Sequence, residues 1–253
     1  MTDNKETLTI GWYGKIPSLG DFISRRIPAS FIEIWDSWLQ KGMATSRAQL
    51  GEHWLDLYLT SPMWRFILMP DTCSNSQVWT GVLMPSVDKI GRHFPLTIAT
   101  QIEPHPRTLI SLISAQHWYA AIEQIALASL DLNISPDDLD QSLTYHPLPK
   151  LYDESYLIDD QKLSEWWQTS SVIGDNSKSL SLPTSNAFIE IFEKINQDAF
   201  SKMGIGKSIW WKVDFETNQT QLHCFVGLPP RKSVYNAIGR HYAMTSFNFT
   251  ISL

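Results

Sequence analysis

Val78-Trp79-Thr80-Gly81-Val82-Leu83-Met84-Pro85-Ser86-Val87-Asp88-Lys89-Ile90-Gly91-Arg92-His93-Phe94-Pro95-Leu96-Thr97-Ile98-Ala99-Thr100 sets two β-prone runs, Val78 to Leu83 and Phe94 to Thr100, around a loop dense in Gly, Pro and Asp. Such runs joined by a turn-rich segment predict neighbouring antiparallel strands. Gly permits positive φ, Pro sets φ and Asp bonds amides two residues on, so the loop Pro85 to Leu96 is held to one path. A loop of the same kind lies upstream, Gly14-Lys15-Ile16-Pro17-Ser18-Leu19-Gly20-Asp21-Phe22. The two loops carry Lys15, Asp21, Asp88, Lys89 and Arg92, so they offer both signs of charge.

Outward from the loops, Leu8 to Tyr13 reads as a strand that delivers the first loop, and Trp64 to Met69 as a strand preceding the hairpin. Ser30 with Glu33 has the capping-box spacing, and Phe31, Ile34, Trp35, Trp38 and Leu39 follow at helical intervals. A second helix carries Trp54, Leu55, Tyr58 and Leu59 on one side and stops near Ser61-Pro62. Residues 106–130 read as one helix covering the sheet, and Ser135-Pro136-Asp137-Asp138 starts another, with Ser as cap and Pro in the first turn. Residues 170–181 read as a mobile loop, Phe188 to Ile195 as an amphipathic helix, Ser208 to Phe215 and Thr220 to Val226 as a hairpin, and Ser246 to Ile251 as a last strand. Strands at both ends of the chain predict one sheet closing over the middle. The expected fold is therefore α+β, a mostly antiparallel sheet flanked by helices, with residues 1–253 forming one domain.

The 253 residues include 43% hydrophobic side chains and eleven Trp, enough for a full core. A net charge of −6, without blocks of Lys and Arg, argues against a nucleic-acid surface. Cys73 and Cys224 stand far apart with no CxxC, which argues against a disulfide framework or a Cys-based metal site and fits a reducing cytosol. No apolar run approaches the ~18 residues of a membrane span, and the N-terminal residues lack an apolar targeting core. A cytoplasmic protein without direct membrane insertion is expected.

Gly204-Ile205-Gly206-Lys207-Ser208 ends like a phosphate-binding loop, but Ser201 occupies the place of the first glycine. The segment also runs from helix into strand, opposite to what an anion site requires. A helix C-cap turn is the simpler reading. Ser86, Asp88 and His93 are hydrolase residue types, yet Ser86 lies in no Gly-x-Ser-x-Gly elbow, so a turn in which Ser86 and Asp88 bond local amides is favoured. The seven His form no HExxH or i, i+4 pair, and no metal or cofactor is expected. Asp21, Arg25 and Arg26 follow the first loop and Asp88, Lys89 and Arg92 lie in the second, so Asp–Arg pairs can form between the loops, and such pairs serve loop fixation and partner recognition equally well.

Four stretches together resemble the TagF family of type VI secretion accessory proteins: Gly11 to Phe22, Trp35-Asp36-Ser37-Trp38-Leu39, Ser61-Pro62-Met63-Trp64-Arg65-Phe66, and Gly81 to Thr97. The match is densest over residues 10–100 and looser at Ser208-Ile209-Trp210-Trp211 and Gly227-Leu228-Pro229. The resemblance implies a longin- or profilin-like fold. It also implies a non-catalytic, cytoplasmic, post-translational repressor that binds a forkhead-associated scaffold protein of the same system and limits assembly or firing. A hydrolase using Ser86, Asp88 and His93, or a structural component of the apparatus, are the alternatives. Lys15, Asp21, Ser86, Asp88 and Arg92 are the candidate partner-binding residues. Gly14, Pro17, Gly20 and Gly91 are expected to shape the loops, while Trp35, Trp38 and Trp64 are expected to fill the core.

Overall fold

The computed structural model describes residues 9–73, 76–149, 151, 199, 201–214 and 219–230. Among the described residues seven strands form one antiparallel sheet: β1 (Gly11–Gly14), β2 (Ile23–Arg25), β3 (Trp64–Leu68), β4 (Val78–Met84), β5 (Leu96–Ile102), β6 (Lys207–Asp214) and β7 (Gln219–Val226). Their order across the sheet is β2-β1-β5-β4-β3-β6-β7. The hairpin read from Val78 to Thr100 is its centre, with Thr80 opposite Thr100 and Leu83 opposite Thr97. β1 and β2 extend the sheet beyond β5, and β3 followed by the late strands β6 and β7 extends it beyond β4.

Helices cover both faces. On one side lie α1 (Ala29–Leu50) and α2 (Trp54–Leu59); on the other lie α3 (Thr108–Ser114), α4 (Gln116–Ala128) and α5 (Pro136–Thr144). Successive strand residues point to opposite faces, so β3 sends Phe66 and Leu68 towards α1 while Ile67 goes to the α4 side. Because both faces are covered, all five β3 residues are buried, and alternation is invisible in its sequence. Gly81 leaves no room for a side chain against β5: a Cβ there would lie 2.0 Å from the Ile98 carbonyl oxygen.

Aromatic rings dominate the α1 side. Phe31, Trp35, Leu39 and Met43 recur every four residues along α1 and are buried. Trp35 stacks on Trp210 at 5.9 Å and donates its indole N–H to Thr97 Oγ1 at 2.8 Å. Trp64 is buried too, whereas Trp38 is half-buried and donates to the Pro229 carbonyl at 2.9 Å. On the α4 side, a buried polar group interrupts the apolar layer. Arg65 grips Glu123 with Nε and Nη2, at 2.7 and 2.6 Å, and donates from Nη1 to Gln116 Oε1.

Several local expectations change. Ser30 does not cap α1: Pro28, at φ −61 and ψ 144, turns the chain directly into the helix, and Ser30 stands inside the first turn. In α2 Trp54 and Tyr58 are buried and Leu57 is half-buried against the same core, while Leu55 and Leu59 are exposed, because residues four apart share one helix face and Leu55 and Leu59 lie on the other. Residues 106–130 form two helices, broken at Ala115, whose ψ of 39 departs from helical backbone. The short strand β2 was not anticipated. Ser135 does cap α5 through a full capping box with Asp138. The expectations for residues 170–181, for Phe188 to Ile195 and for Ser246 to Ile251 lie outside the described residues.

Candidate functional site: two loops joined by a buried carboxylate

Residues 15–22 connect β1 to β2, and residues 85–95 connect β4 to β5. Tyr13 pairs with Thr97, so both loops leave the same end of the sheet, side by side. Gly14 makes this approach feasible. Its φ is 138, and a Cβ there would fall 2.2 Å from the Pro95 carbonyl oxygen.

Asp88 is the hub. Its side chain is fully buried, and Oδ2 accepts from Lys15 Nζ of the first loop at 2.9 Å and from Arg92 Nε at 2.7 Å. Oδ1 accepts the N–H groups of Ile90 and Arg92 at 3.1 and 2.8 Å. Burial opposes charge on this carboxyl, but the hydrogen bonds from Lys15, Arg92 and Ile90 outweigh it and hold its pKa far below the usual carboxylate range. Lys15 is 4% exposed, so the link between the loops is a desolvated ion pair.

Further contacts tighten the junction. Arg92 Nη2 donates to the Gly20 carbonyl, and Lys89 N–H donates to the Leu19 carbonyl at 2.8 Å. Phe22 packs edge-on against Phe94 at 4.8 Å, with Lys15 Nζ 4.7 Å above its ring. From the other side, the Tyr58 hydroxyl donates to the Ser86 carbonyl and accepts the Ser86 N–H.

Asp–Arg pairing between the loops is replaced by Lys15–Asp88. Arg92 pairs with Asp88 inside its own loop and reaches the first loop through backbone. Arg25 and Arg26 turn away to α5, meeting Asp137 at 2.8 Å and Asp140 at 2.6 Å. Arg26 stands at φ 57, and Asp140 also accepts the Trp12 indole N–H. Lys15 lies one residue beyond β1, and nothing in its neighbours marked it as buried.

The candidate residues divide by exposure. Lys15, Ser86 and Asp88 are buried; Asp21, Arg92, Gly20 and Gly91 are exposed. Asp21 accepts the Phe22 N–H at 2.8 Å, Pro17 is buried within the first loop, and Gly91 takes φ 83. Open space surrounds Gly20, which contributes its carbonyl.

Ser86 Oγ donates to the Lys15 carbonyl at 2.7 Å rather than to a base. His93 instead lies edge-on to Trp54 and Tyr58, at 5.8 and 5.6 Å, and its pKa is lowered by burial and by the positive charge of Arg47. The nucleophile–base contact that a hydrolase needs is not formed here. The glycines preceding β6 likewise use their amides internally: Gly204 N–H goes to the Ser201 carbonyl and Gly206 N–H to the Pro70 carbonyl. Among the described residues no group of three or more His, Cys, Asp or Glu is placed to hold a metal ion.

The chain is thus an antiparallel-sheet α+β protein with a charged pair of loops joined at one end of the sheet. The TagF N-terminal domain family, type VI secretion system-associated, matches residues 11–145, more than half of the chain. The protein belongs to that family, as the loop and tryptophan motifs implied. The crystal structure of PA0076 from Pseudomonas aeruginosa PAO1 is similar, with a TM-score of 0.70 and 28% identity over 94% of this chain and 98% of that one. No curated protein matches the chain. Among the described residues no helix is long and apolar enough to cross a membrane.

Proposed function

We propose that this protein is a non-catalytic, post-translational repressor of type VI secretion. It acts by binding a forkhead-associated scaffold protein of the same system and withholding it from the apparatus. The family assignment supports the setting. The observation that carries the binding role is the loop pair itself, locked by Lys15–Asp88 and presenting Asp21, Lys89 and Arg92 to solvent. A surface ordered before it meets its partner loses little conformational entropy on binding. Ser86, with its hydroxyl committed to a backbone carbonyl, favours this reading over a hydrolase. We read residues 1–253 as one longin- or profilin-like domain, and the cytoplasm as its compartment. The acidic balance and the free Cys73 and Cys224 fit that compartment.

Calorimetric titration against the forkhead-associated protein of the same host tests the reading. The wild type is run beside an Asp21→Lys, Lys89→Glu double variant, which reverses two exposed charges and spares the Asp88 hub. Saturable binding weakened in the variant is expected. A wild type that does not bind at micromolar concentrations would overturn the partner assignment. Deleting the gene separates repressor from structural component: secretion rises for the first and stops for the second.

A further inference from the structure

Ile90 stands at the tip of the second loop and is 69% exposed. The backbone beneath it is saturated. Asp88 N–H donates to the Arg92 carbonyl at 3.0 Å, Lys89 to Leu19 at 2.8 Å, and Gly91 to the Asp88 carbonyl at 2.9 Å. Ile90 and Arg92 donate to Asp88 Oδ1. Every amide from Asp88 to Arg92 therefore has an acceptor inside the protein. The buried carboxylate that accepts two of them is itself fixed by Lys15. Such a tip fixes the direction in which the backbone projects its aliphatic side chain. In the facing loop Phe22 is 42% exposed and packs edge-on against Phe94.

We infer that Ile90 is the anchor of a protein–protein contact: an aliphatic knob that enters an apolar socket on a partner protein whose rim carries carboxylates. The rim follows from charge. Lys89 is exposed beside Ile90, while Arg92, also exposed, spends Nε on Asp88 and Nη2 on the Gly20 carbonyl. Lys15, Lys89 and Arg92 outnumber Asp21 and Asp88, so the loop pair is cationic on a chain of net charge −6, with Lys89 as the cation that faces a partner. A lipid surface fits less well, because insertion draws on several apolar side chains within a basic face, and both Asp21 and the overall charge oppose an anionic membrane. An apolar side chain carried on an ordered backbone loses little conformational freedom when it is buried in a partner, and neighbouring contacts that exclude water make its burial count. The inference rests on the reading of this protein as a binding regulator and names the group by which it binds.

The test titrates full-length wild type, Ile90→Ser, Lys89→Glu and Leu132→Ser against the forkhead-associated protein, after thermal melts show all four equally folded. Leu132 is the control, an aliphatic residue 68% exposed elsewhere. Ile90→Ser is expected to weaken binding about 30-fold or more, the loss that accompanies removal of one buried aliphatic group. Lys89→Glu should weaken it and flatten its salt dependence, and Leu132→Ser should leave it within about twofold. Wild-type binding that Ile90→Ser leaves unchanged overturns the inference while keeping the repressor reading. If the wild type does not bind, that reading loses its partner, and secretion from the host carrying Ile90→Ser at normal protein level decides the inference. Secretion matching the gene deletion supports the knob; secretion matching wild type overturns it. Sedimentation with phosphatidylglycerol vesicles that is lost in Ile90→Ser would assign the knob to a membrane and overturn the protein socket.

Discussion

Lys15 Nζ lies 2.9 Å from Asp88 Oδ2, and both side chains are withdrawn from solvent although their loops are far apart in sequence. This pair decides whether the two loops form one surface. Lys15→Met leaves the Asp88 carboxylate buried with only its local partners, and such losses run to about 3 kcal/mol. Urea denaturation should show a destabilisation of that order. A change below about 1 kcal/mol would mean that Arg92 and the loop amides suffice.

Tyr58 satisfies both backbone polar groups of Ser86, at 2.9 and 3.0 Å. Tyr58→Phe keeps the ring and removes both bonds, with a cost of about 1–3 kcal/mol from the buried groups left behind. Hydrogen exchange should locate the loss: the Ser86 amide loses protection, while amides in α1 hold theirs.

The Arg65–Glu123 grip predicts an asymmetry. Glu123→Gln leaves a buried guanidinium without its counter-charge and should destabilise by about 3 kcal/mol. The double substitution Arg65→Met, Glu123→Leu fills the site with apolar groups and should recover most of that loss in the same denaturation assay. A double variant as unstable as the single one would assign the cost to packing instead.

His93 is held below its ordinary pKa of 6.5 by burial and by Arg47, and burial followed by Lys212 does the same to His223. The unfolded chain then binds protons before the folded one does, so stability is full above pH 6.5 and falls as pH drops from there towards the folded values. His93→Gln should flatten part of that slope and leave a smaller one from His223, read as melting temperature between pH 7.5 and 5.5. Asp88 acts in another window. Its lowered pKa keeps its contribution intact above the ordinary value of 3.8, with the loss coming only at lower pH.

The central hairpin was legible because its strands are short, β-branched and separated by Gly, Pro and Asp, whose effects on φ are local. The α5 cap was legible for the same reason, since Ser135 and Asp138 satisfy each other within one turn. Ser30 failed as a cap although its spacing with Glu33 is equally good, because the fixed φ of Pro28 had already started the helix. The break at Ala115 and the strand β2 escaped detection because each depends on what the segment packs against. Of the candidate site, the loops and their charged residues were visible, but their partners were not.

By itself the sequence determined the α+β class, the two shaped loops and the family, because turn chemistry, apolar runs and motif order are properties of neighbouring residues. Only the tertiary structure decided that Lys15 rather than an arginine joins the loops, that Ser86 and Asp88 face inward, and that Ile90 faces out. Pairing and burial depend on which groups the sheet brings within hydrogen-bonding reach. Residues 15 and 88 meet because β1 joins the edge of β5.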